Sequence, residues 1–200
     1  MKIAVIGATG KVGQRLVAEL KRREHDVIGV ARSQPAEDPG VPLRLADAND
    51  PAGLAEAIRG TDAAMLAGRF VSTRADAVVD AVRRAGVPRL LVVGGAGTLY
   101  ASPGVQLIDM GVIPEAFMPE VAGGRDFLEG LKRSDIDWTY LSPAVNFVPG
   151  ERTGVFRLGG DELMRDASGE SRISYEDLAV ALVDELETPK HSRRRFSIAY

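Results

Sequence analysis

The sequence contains no cysteine and only two histidines, and this scarcity excludes several kinds of chemistry. Without cysteine the chain can form no disulfide, no thiolate nucleophile and no zinc-thiolate site. The two histidines, His25 and His191, are far apart in the chain, which argues against a histidine-based metal centre. We therefore expect no bound metal.

Net charge and long apolar runs are also scarce. The 200 residues carry a formal net charge of -3, which gives no general attraction for nucleic acid or anionic lipid. No apolar run approaches the roughly 20 residues that span a membrane, and no apolar leader follows a charged start. These features predict a cytoplasmic protein that acts on a small molecule, as a monomer or a homodimer, without a nucleic-acid or membrane partner.

Strand and helix signals alternate along the first two thirds of the chain. Short apolar runs typical of buried strands lie at 3–6, 27–31, 42–45, 62–66 and 89–93. Between them, apolar residues recur at helical spacing, most clearly in 11–22 and 75–85. This alternation predicts an α/β fold, a Rossmann-like doubly wound parallel sheet, in one domain over 1–200.

Two later segments, 94–120 and 142–174, are rich in glycine and proline and lack sustained periodicity. Around them the pattern predicts a helix over 121–133, a strand over 136–141, a helix over 177–187 and a last strand over 195–199. Long irregular segments in a compact α/β domain usually shape a site. We therefore expect a small irregular C-terminal substrate lobe, with these two segments as substrate loops.

The most informative motif is Gly7-Ala8-Thr9-Gly10-Lys11-Val12-Gly13, between the first predicted strand and the first predicted helix. Glycines at such a corner let the backbone approach a ligand, and the start of the helix favours a pyrophosphate. Because Val12 replaces the serine or threonine of a P-loop, the motif predicts a dinucleotide site instead. The alternative is a glycine-rich turn without a ligand. The predicted contacts are Gly7, Thr9, Gly10, Lys11, Val12 and Gly13.

The choice between the two nicotinamide dinucleotides depends on the end of the second predicted strand. Nineteen residues beyond Gly13 the chain offers Arg32-Ser33 rather than aspartate or glutamate. A cation there can accept a 2′-phosphate, whereas a carboxylate repels it. We therefore predict that NADP(H) is preferred over NAD(H), with Arg32 and Ser33 at the 2′-phosphate. The alternative is that Arg32 is an ordinary surface residue.

At this point the chain resembles a known family. Residues 7–13 are similar to the glycine motif of atypical short-chain dehydrogenases, and Leu-Val-Val-Gly-Gly-Ala-Gly-Thr-Leu at 91–99 resembles a segment of the NAD(P)H-binding group within them. That group includes proteins named NADH-flavin reductases, with NmrA-like proteins and biliverdin reductase B as more distant relatives. Further matches at 137–143, 149–154 and 173–174 extend the resemblance over essentially the whole chain.

The resemblance implies further cofactor contacts. Asp47-Ala48 corresponds to the pair that borders the adenine, and Ala67-Gly68-Arg69 to the segment along the pyrophosphate and the nicotinamide ribose. Gly94 and Gly95 correspond to positions near the nicotinamide, and Ser142-Pro143 to the pair that closes over it. Two alternatives stay open: Asp47 could cap its own turn, and Arg69 could be a solvated loop residue.

The chain departs from typical short-chain dehydrogenases in one respect, since it has no Tyr-x-x-x-Lys pair to pass a proton as hydride moves. A flat conjugated acceptor such as a flavin or quinone needs little proton help from the protein. We therefore predict an NADP(H)-dependent reductase of such an acceptor, with Thr98 and Tyr100 as catalytic candidates. The alternative is a non-catalytic NAD(P)-sensing regulator. The apolar loop 110–118 favours the reductase if it covers a pocket, and the regulator if it forms an outward patch.

Overall fold

The computed structural model describes all 200 residues and contains one central eight-stranded sheet with helices on both faces. The strands are β1 Lys2–Ile6, β2 Asp26–Ala31, β3 Leu43–Leu45, β4 Ala63–Leu66, β5 Arg89–Val93, β6 Tyr100–Ser102, β7 Val105–Gln106, β8 Asp137–Ser142, β9 Asn146–Val148, β10 Arg157–Gly159, β11 Arg172–Ser174 and β12 Arg194–Ala199. The helices are α1 Lys11–Arg22, α2 Pro51–Ile58, α3 Ala75–Ala85, α4 Met118–Arg133 and α5 Tyr175–Glu187.

The order of the strands confirms the predicted Rossmann-like sheet. Across the sheet the strands run β3-β2-β1-β4-β5-β8-β12-β10, and all neighbours are parallel except the edge pair β10 and β12. The chain moves outward in one direction from β1 to β3 and in the other from β4 onward. The topological switch point therefore lies between β1 and β4, and open α/β sheets bind ligands at the carboxyl ends of such strands.

The alternation of side chains along each strand builds a separate core on each face of the sheet. In β1, Ile3 and Val5 belong to the core beneath α1 and α5, whereas Ala4 and Ile6 belong to the core beneath α2, α3 and α4. Both faces of the central strands are thus covered, which explains their uninterrupted apolar sequences.

The predicted element bounds agree with the structure to within a few residues. α1 and β5 have the predicted limits, and α4 begins three residues earlier than predicted, at Met118. Pro119 lies in the first turn of α4, where a missing amide hydrogen costs nothing. The two irregular segments contain short strands that the sequence pattern does not reveal: β6 pairs with β7, and β9 with β11, outside the central sheet.

The segment between β9 and β10 is joined to α1 by a cluster of ion pairs around Glu19. The carboxylate of this nearly buried residue accepts two hydrogen bonds from Arg152, at 2.7 and 2.8 Å, and one from Arg23 at 2.8 Å. The hydrogen bonds from Arg152, joined by the one from Arg23, outweigh the effect of burial and lower the pKa of Glu19 from 4.5 to about 2. The segment after β9 is therefore held against α1 by charge.

We expect Glu19→Gln to lower the free energy of unfolding at pH 7 by about 1–3 kcal/mol, the upper limit being the pKa shift converted to energy. Because the pKa of the folded state is depressed, the contribution of the charge is complete above about pH 4.5 and is lost as the pH falls towards 2. Urea unfolding at pH 7, 4 and 2.5 measures this. Glu129→Gln, in an exposed pair with Lys132, is the control. A difference between Glu19→Gln and the wild type that stays constant across this range contradicts the assignment.

Candidate functional site

The turn between β1 and α1 depends on Gly7, which has a φ of 84°, a left-handed conformation that favours glycine. Its amide donates to the carbonyl oxygen of Val30 at 2.8 Å, which ties the turn to β2. A Cβ atom at Gly7 would lie 2.6 Å from the carbonyl oxygen of Ala67. Only glycine at position 7 therefore allows the ends of β1 and β4 to approach each other this closely.

The first turn of α1 leaves its backbone donors free. Gly10 is the N-cap and supplies no side-chain acceptor, and the first turn carries no acidic residue. The amides of Lys11, Val12 and Gly13 have no partner within the helix, as at any helix start. A Cβ atom at Gly13 would lie 2.0 Å from the carbonyl oxygen of Gly7, so the helix packs directly on the turn. Uncapped amides and the positive end of the helix dipole together suit an anionic group.

A cavity of about 790 Å³ opens beside this turn, and 15 of its 28 lining residues are hydrophobic. Its size and apolar character are typical of small-molecule sites. The loop between β7 and α4 lines it through Val112, Ile113, Pro114 and Phe117. The predicted site residues on its wall are Gly10, Lys11, Val12, Ala67, Gly68, Arg69, Gly94, Gly95, Thr98 and Pro143.

Several predicted residues do not line the cavity: Gly7 and Thr9 lie in the turn before α1, Gly13 lies in the first turn of α1, and four others follow the ends of β2 and β3. Arg32 and Ser33 are exposed, and Arg32 takes part in no ion pair of the structure. The carboxylate of Asp47 accepts the amide of Asn49 at 2.9 Å, so the turn-capping alternative is present in the structure. Ala48 packs against the core beneath α2.

The loop after β5 rests on Tyr140, which the sequence pattern does not single out. A Cβ atom at Gly94 would lie 2.1 Å from the ring of Tyr140. The phenol oxygen accepts the amide of Gly95 at 3.1 Å and donates to the carbonyl of Gly124 at 3.3 Å. Burial raises the pKa of Tyr140, so this phenol stays protonated at neutral pH. It supports the cavity wall rather than exchanging protons.

The pair Ser142-Pro143 divides between the core and the cavity. Pro143 lines the cavity, but Ser142 is fully buried and is not on the wall. The hydroxyl oxygen of Ser142 has no hydrogen-bond partner in the protein. The implied closure over the nicotinamide can therefore involve Pro143, while Ser142 faces the interior.

The two catalytic candidates also have different positions. Thr98 lies on the cavity wall, and its hydroxyl oxygen accepts a hydrogen bond from Nη1 of Arg195 at 2.8 Å. Tyr100 belongs to β6 and is not a lining residue. Its amide donates to the carbonyl of Asp161 at 2.8 Å, which holds it against the C-terminal lobe. The structure thus brings Thr98 to the cavity and leaves Tyr100 outside.

Sequence reasoning missed two charged residues at this site. Arg195 belongs to a basic run, 193–195, of a kind that usually forms a solvated edge, yet only 7% of its side chain is exposed. Glu120 in α4 accepts the amides of Phe70 at 2.7 Å and Val71 at 3.1 Å, and so fixes the loop after β4. No pattern in the sequence signals either contact, because each joins residues distant in the chain.

Comparison with known proteins agrees with this geometry. A family model described as NAD(P)H-binding matches residues 7–189. The chain belongs to this NAD(P)H-binding family. The match begins at the first glycine of the turn and includes the whole wall of the cavity. It confirms the family and the class of cofactor expected from the sequence, without distinguishing NADP(H) from NAD(H).

Three solved structures show the same fold over the whole chain. One, from Burkholderia pseudomallei and provisionally described as an exported protein, is 42% identical, with full coverage of both chains and a TM-score of 0.90. A provisional epimerase from Bacteroides thetaiotaomicron is 39% identical over 100% of this chain and 96% of its own, with a TM-score of 0.92. A provisional NADH-flavin reductase from Streptococcus pneumoniae is 32% identical over 100% and 99%, with a TM-score of 0.87.

No helix has both the length and the apolar character that a membrane crossing requires; the longest, α4, has 16 residues.

Proposed function

We propose that the protein is an NADP(H)-dependent oxidoreductase that reduces a flat conjugated acceptor such as a flavin or a quinone. The observation that carries the proposal is the apolar cavity that adjoins the glycine turn and the uncapped start of α1. A dinucleotide whose pyrophosphate lies at α1 can extend its nicotinamide along Gly94 and Gly95 into this cavity. The flavin-reductase name of one close structural neighbour supports the same class of reaction.

The residues of the chain suit such a reaction. NADPH, when bound, supplies a hydride and with it two electrons. The apolar wall, which includes Ile113 and Phe117, excludes water and holds a flat ring against the loop after β5. A conjugated acceptor spreads the incoming charge over its ring and takes its proton from solvent. The absence of a Tyr-x-x-x-Lys pair is therefore compatible with reduction of this kind, and it argues against the epimerase chemistry suggested by another neighbour.

The preference for NADP(H) rests on Arg32. This exposed side chain follows β2 at the position where such folds contact the ribose, and it has no carboxylate partner. Its charge is thus available to a 2′-phosphate. The remaining parts of the proposal are a cytoplasmic location and a small-molecule substrate. The net charge of -3 is in keeping with the absence of a nucleic-acid partner.

We expect Arg32→Ala to weaken NADPH binding by about tenfold or more, because a charge-assisted contact with phosphate is lost, and to leave NADH binding nearly unchanged. Titration of the protein with each nucleotide by calorimetry gives both dissociation constants. Arg22→Ala is the charge-matched control, because it removes an exposed arginine at the C-terminal end of α1, opposite the end with the uncapped amides. Equal effects of Arg32→Ala on NADPH and NADH contradict the assignment of Arg32 to the 2′-phosphate.

The proposed reaction is tested by following NADPH absorbance with riboflavin, FMN and menadione as acceptors. Catalytic turnover of any of them supports the reductase. Tight NADPH binding without turnover of any acceptor overturns it and supports the second candidate, a regulator that senses NAD(P). One observation favours that candidate: Val112 and Phe117, at the cavity wall, are more than half exposed and could contact a protein partner.

A further inference from the structure

The charged residues on the wall of the cavity are mostly cations. Lys11, Arg69 and Arg125 each carry a positive charge, and Glu120 is the only carboxylate among the lining residues. This carboxylate is already engaged, because it accepts two backbone amides of the loop after β4 and lies 3.6 Å from Nε of Arg69. The wall of the cavity therefore has a surplus of positive charge.

Arg125 is the cation of this wall whose charge has the weakest compensation. Lys11 lies in the turn proposed to hold the pyrophosphate, and Arg69 is paired with Glu120. Nη1 of Arg125 lies 3.7 Å from Oδ1 of Asp109, which is too long for a hydrogen bond, and the Asp109 side chain is more than half exposed. Solvent weakens such a pair, and all five N–H donors of the guanidinium remain available to a ligand.

The place of Arg125 on α4 directs its side chain towards the cavity. Phe117, Val121 and Arg125 recur every four residues and therefore lie along one face of the helix, and all three line the cavity. On this face a Cβ atom at Gly97 would lie 2.1 Å from Cγ1 of Val121, so the face meets the loop after β5. Side chains of a helix tilt towards its N-terminus, so Arg125 extends over Val121. The pair with Asp109 places the guanidinium beside the loop between β7 and α4, which also lines the cavity.

We propose that Arg125 binds an acidic group of the acceptor, so that the cavity selects flat conjugated acceptors that carry a phosphate, sulfonate or carboxylate. The planar guanidinium matches the paired oxygens of such groups, and the acidic group replaces Asp109 as its partner. The apolar wall around the cation screens its charge less than open solvent does. The inference rests on the proposed reductase function and narrows its substrate class from flat rings in general to anionic ones.

The test compares two pairs of ligands that differ in an acidic group. FMN differs from riboflavin by a phosphate, and a naphthoquinone sulfonate differs from menadione chiefly by its sulfonate. Each is bound in the presence of saturating NADP⁺, which cannot reduce it, and the dissociation constants are measured at low and at high ionic strength. The quantity of interest is the preference, which is the dissociation constant of the neutral ligand divided by that of its acidic counterpart.

We expect the wild type to show a preference of about ten or more in at least one pair, and the preference should fall as salt is added. Arg125→Met should bring it close to one with the neutral ligands bound nearly as before, and Arg125→Lys should retain part of it. Asp109→Asn should raise the preference, because a competing carboxylate is removed. Arg133→Met, which removes an exposed arginine of the same helix, is the control and should leave the preference unchanged.

Equal binding of the neutral and acidic ligands of both pairs by the wild type overturns the inference, as does a preference that survives in Arg125→Met. An equal loss of both ligands of a pair in Arg125→Met assigns the residue a structural role and overturns it too. A weaker NADP⁺ dissociation constant in that variant places a cofactor phosphate at Arg125 instead. Thermal unfolding midpoints identify any variant that does not fold, and Arg125→Lys and Asp109→Asn then decide.

The proposed function fails separately from this inference. If the wild type prefers the acidic ligands yet turns over no acceptor with NADPH, the anionic site stands and the reductase does not. If an acceptor is turned over without any preference for the acidic ligand, the reductase stands and the role of Arg125 is wrong.

Discussion

Gly13→Ala is expected to weaken NADPH binding by more than about a hundredfold. The added Cβ atom would lie 2.0 Å from the carbonyl oxygen of Gly7 and 3.0 Å from Cα of Ala8, both of them backbone atoms that cannot rotate away. Either α1 or the turn must move, and each movement displaces the uncapped amides at the start of α1. Because those amides would hold the pyrophosphate, a shift of about 1 Å removes several hydrogen bonds to it together.

Loss of binding must be separated from loss of stability. Ala18→Gly, on the exposed surface of the same helix, costs about 1 kcal/mol in helix propensity without any change at the turn. Calorimetric titration with NADPH and urea unfolding of both variants provide the comparison. We expect Ala18→Gly to bind NADPH normally despite its lower stability, and Gly13→Ala to fail to bind even where it is folded. Normal binding by folded Gly13→Ala contradicts the assignment of this turn to the pyrophosphate.

The part of the site that the sequence predicts is the part built from neighbours in the chain. The turn 7–13 joins β1 to α1 within a few residues, so its glycines and the periodicity around them contain most of the information. The same holds for β5, which is buried throughout and whose last four residues, Leu90–Val93, form an uninterrupted apolar run. Local patterns of this kind define the sheet and the phosphate end of the site.

The part that the sequence does not predict depends on contacts between distant residues. Arg195 meets Thr98 across 97 positions, and Tyr140 supports Gly95 across 45. In sequence, Arg195 belongs to a run of charges that resembles a surface edge; only strand pairing between β12 and β8 turns it inward. Ser142 and Tyr100 are the converse cases, since each lies within two residues of a lining residue in sequence but is not itself on the cavity wall.

Gly94→Ala and Gly95→Ala are expected to give opposite results, although the two glycines are adjacent. A Cβ atom at Gly94 would lie 2.1 Å from the fully buried ring of Tyr140. The ring is stacked on that of Phe70, with 6.0 Å between the ring centres, and must be displaced from this packing, so we expect a loss of about 1–3 kcal/mol in the free energy of unfolding. A Cβ atom at Gly95 would meet no protein atom within 4 Å. The free energy of unfolding of Gly95→Ala should therefore lie within about 0.5 kcal/mol of that of the wild type.

Gly95 lines the cavity, so the two variants together test whether the nicotinamide lies beside this residue. If the nicotinamide passes along Gly95, a methyl group there occupies part of its volume, and Gly95→Ala should weaken NADPH binding by at least about tenfold in a protein of normal stability. Urea unfolding and calorimetric titration of both variants supply the two quantities. Normal NADPH binding by Gly95→Ala places the nicotinamide elsewhere. A stable Gly94→Ala would show instead that Tyr140 can leave its position beneath the loop, and that the cavity wall is not fixed by this contact.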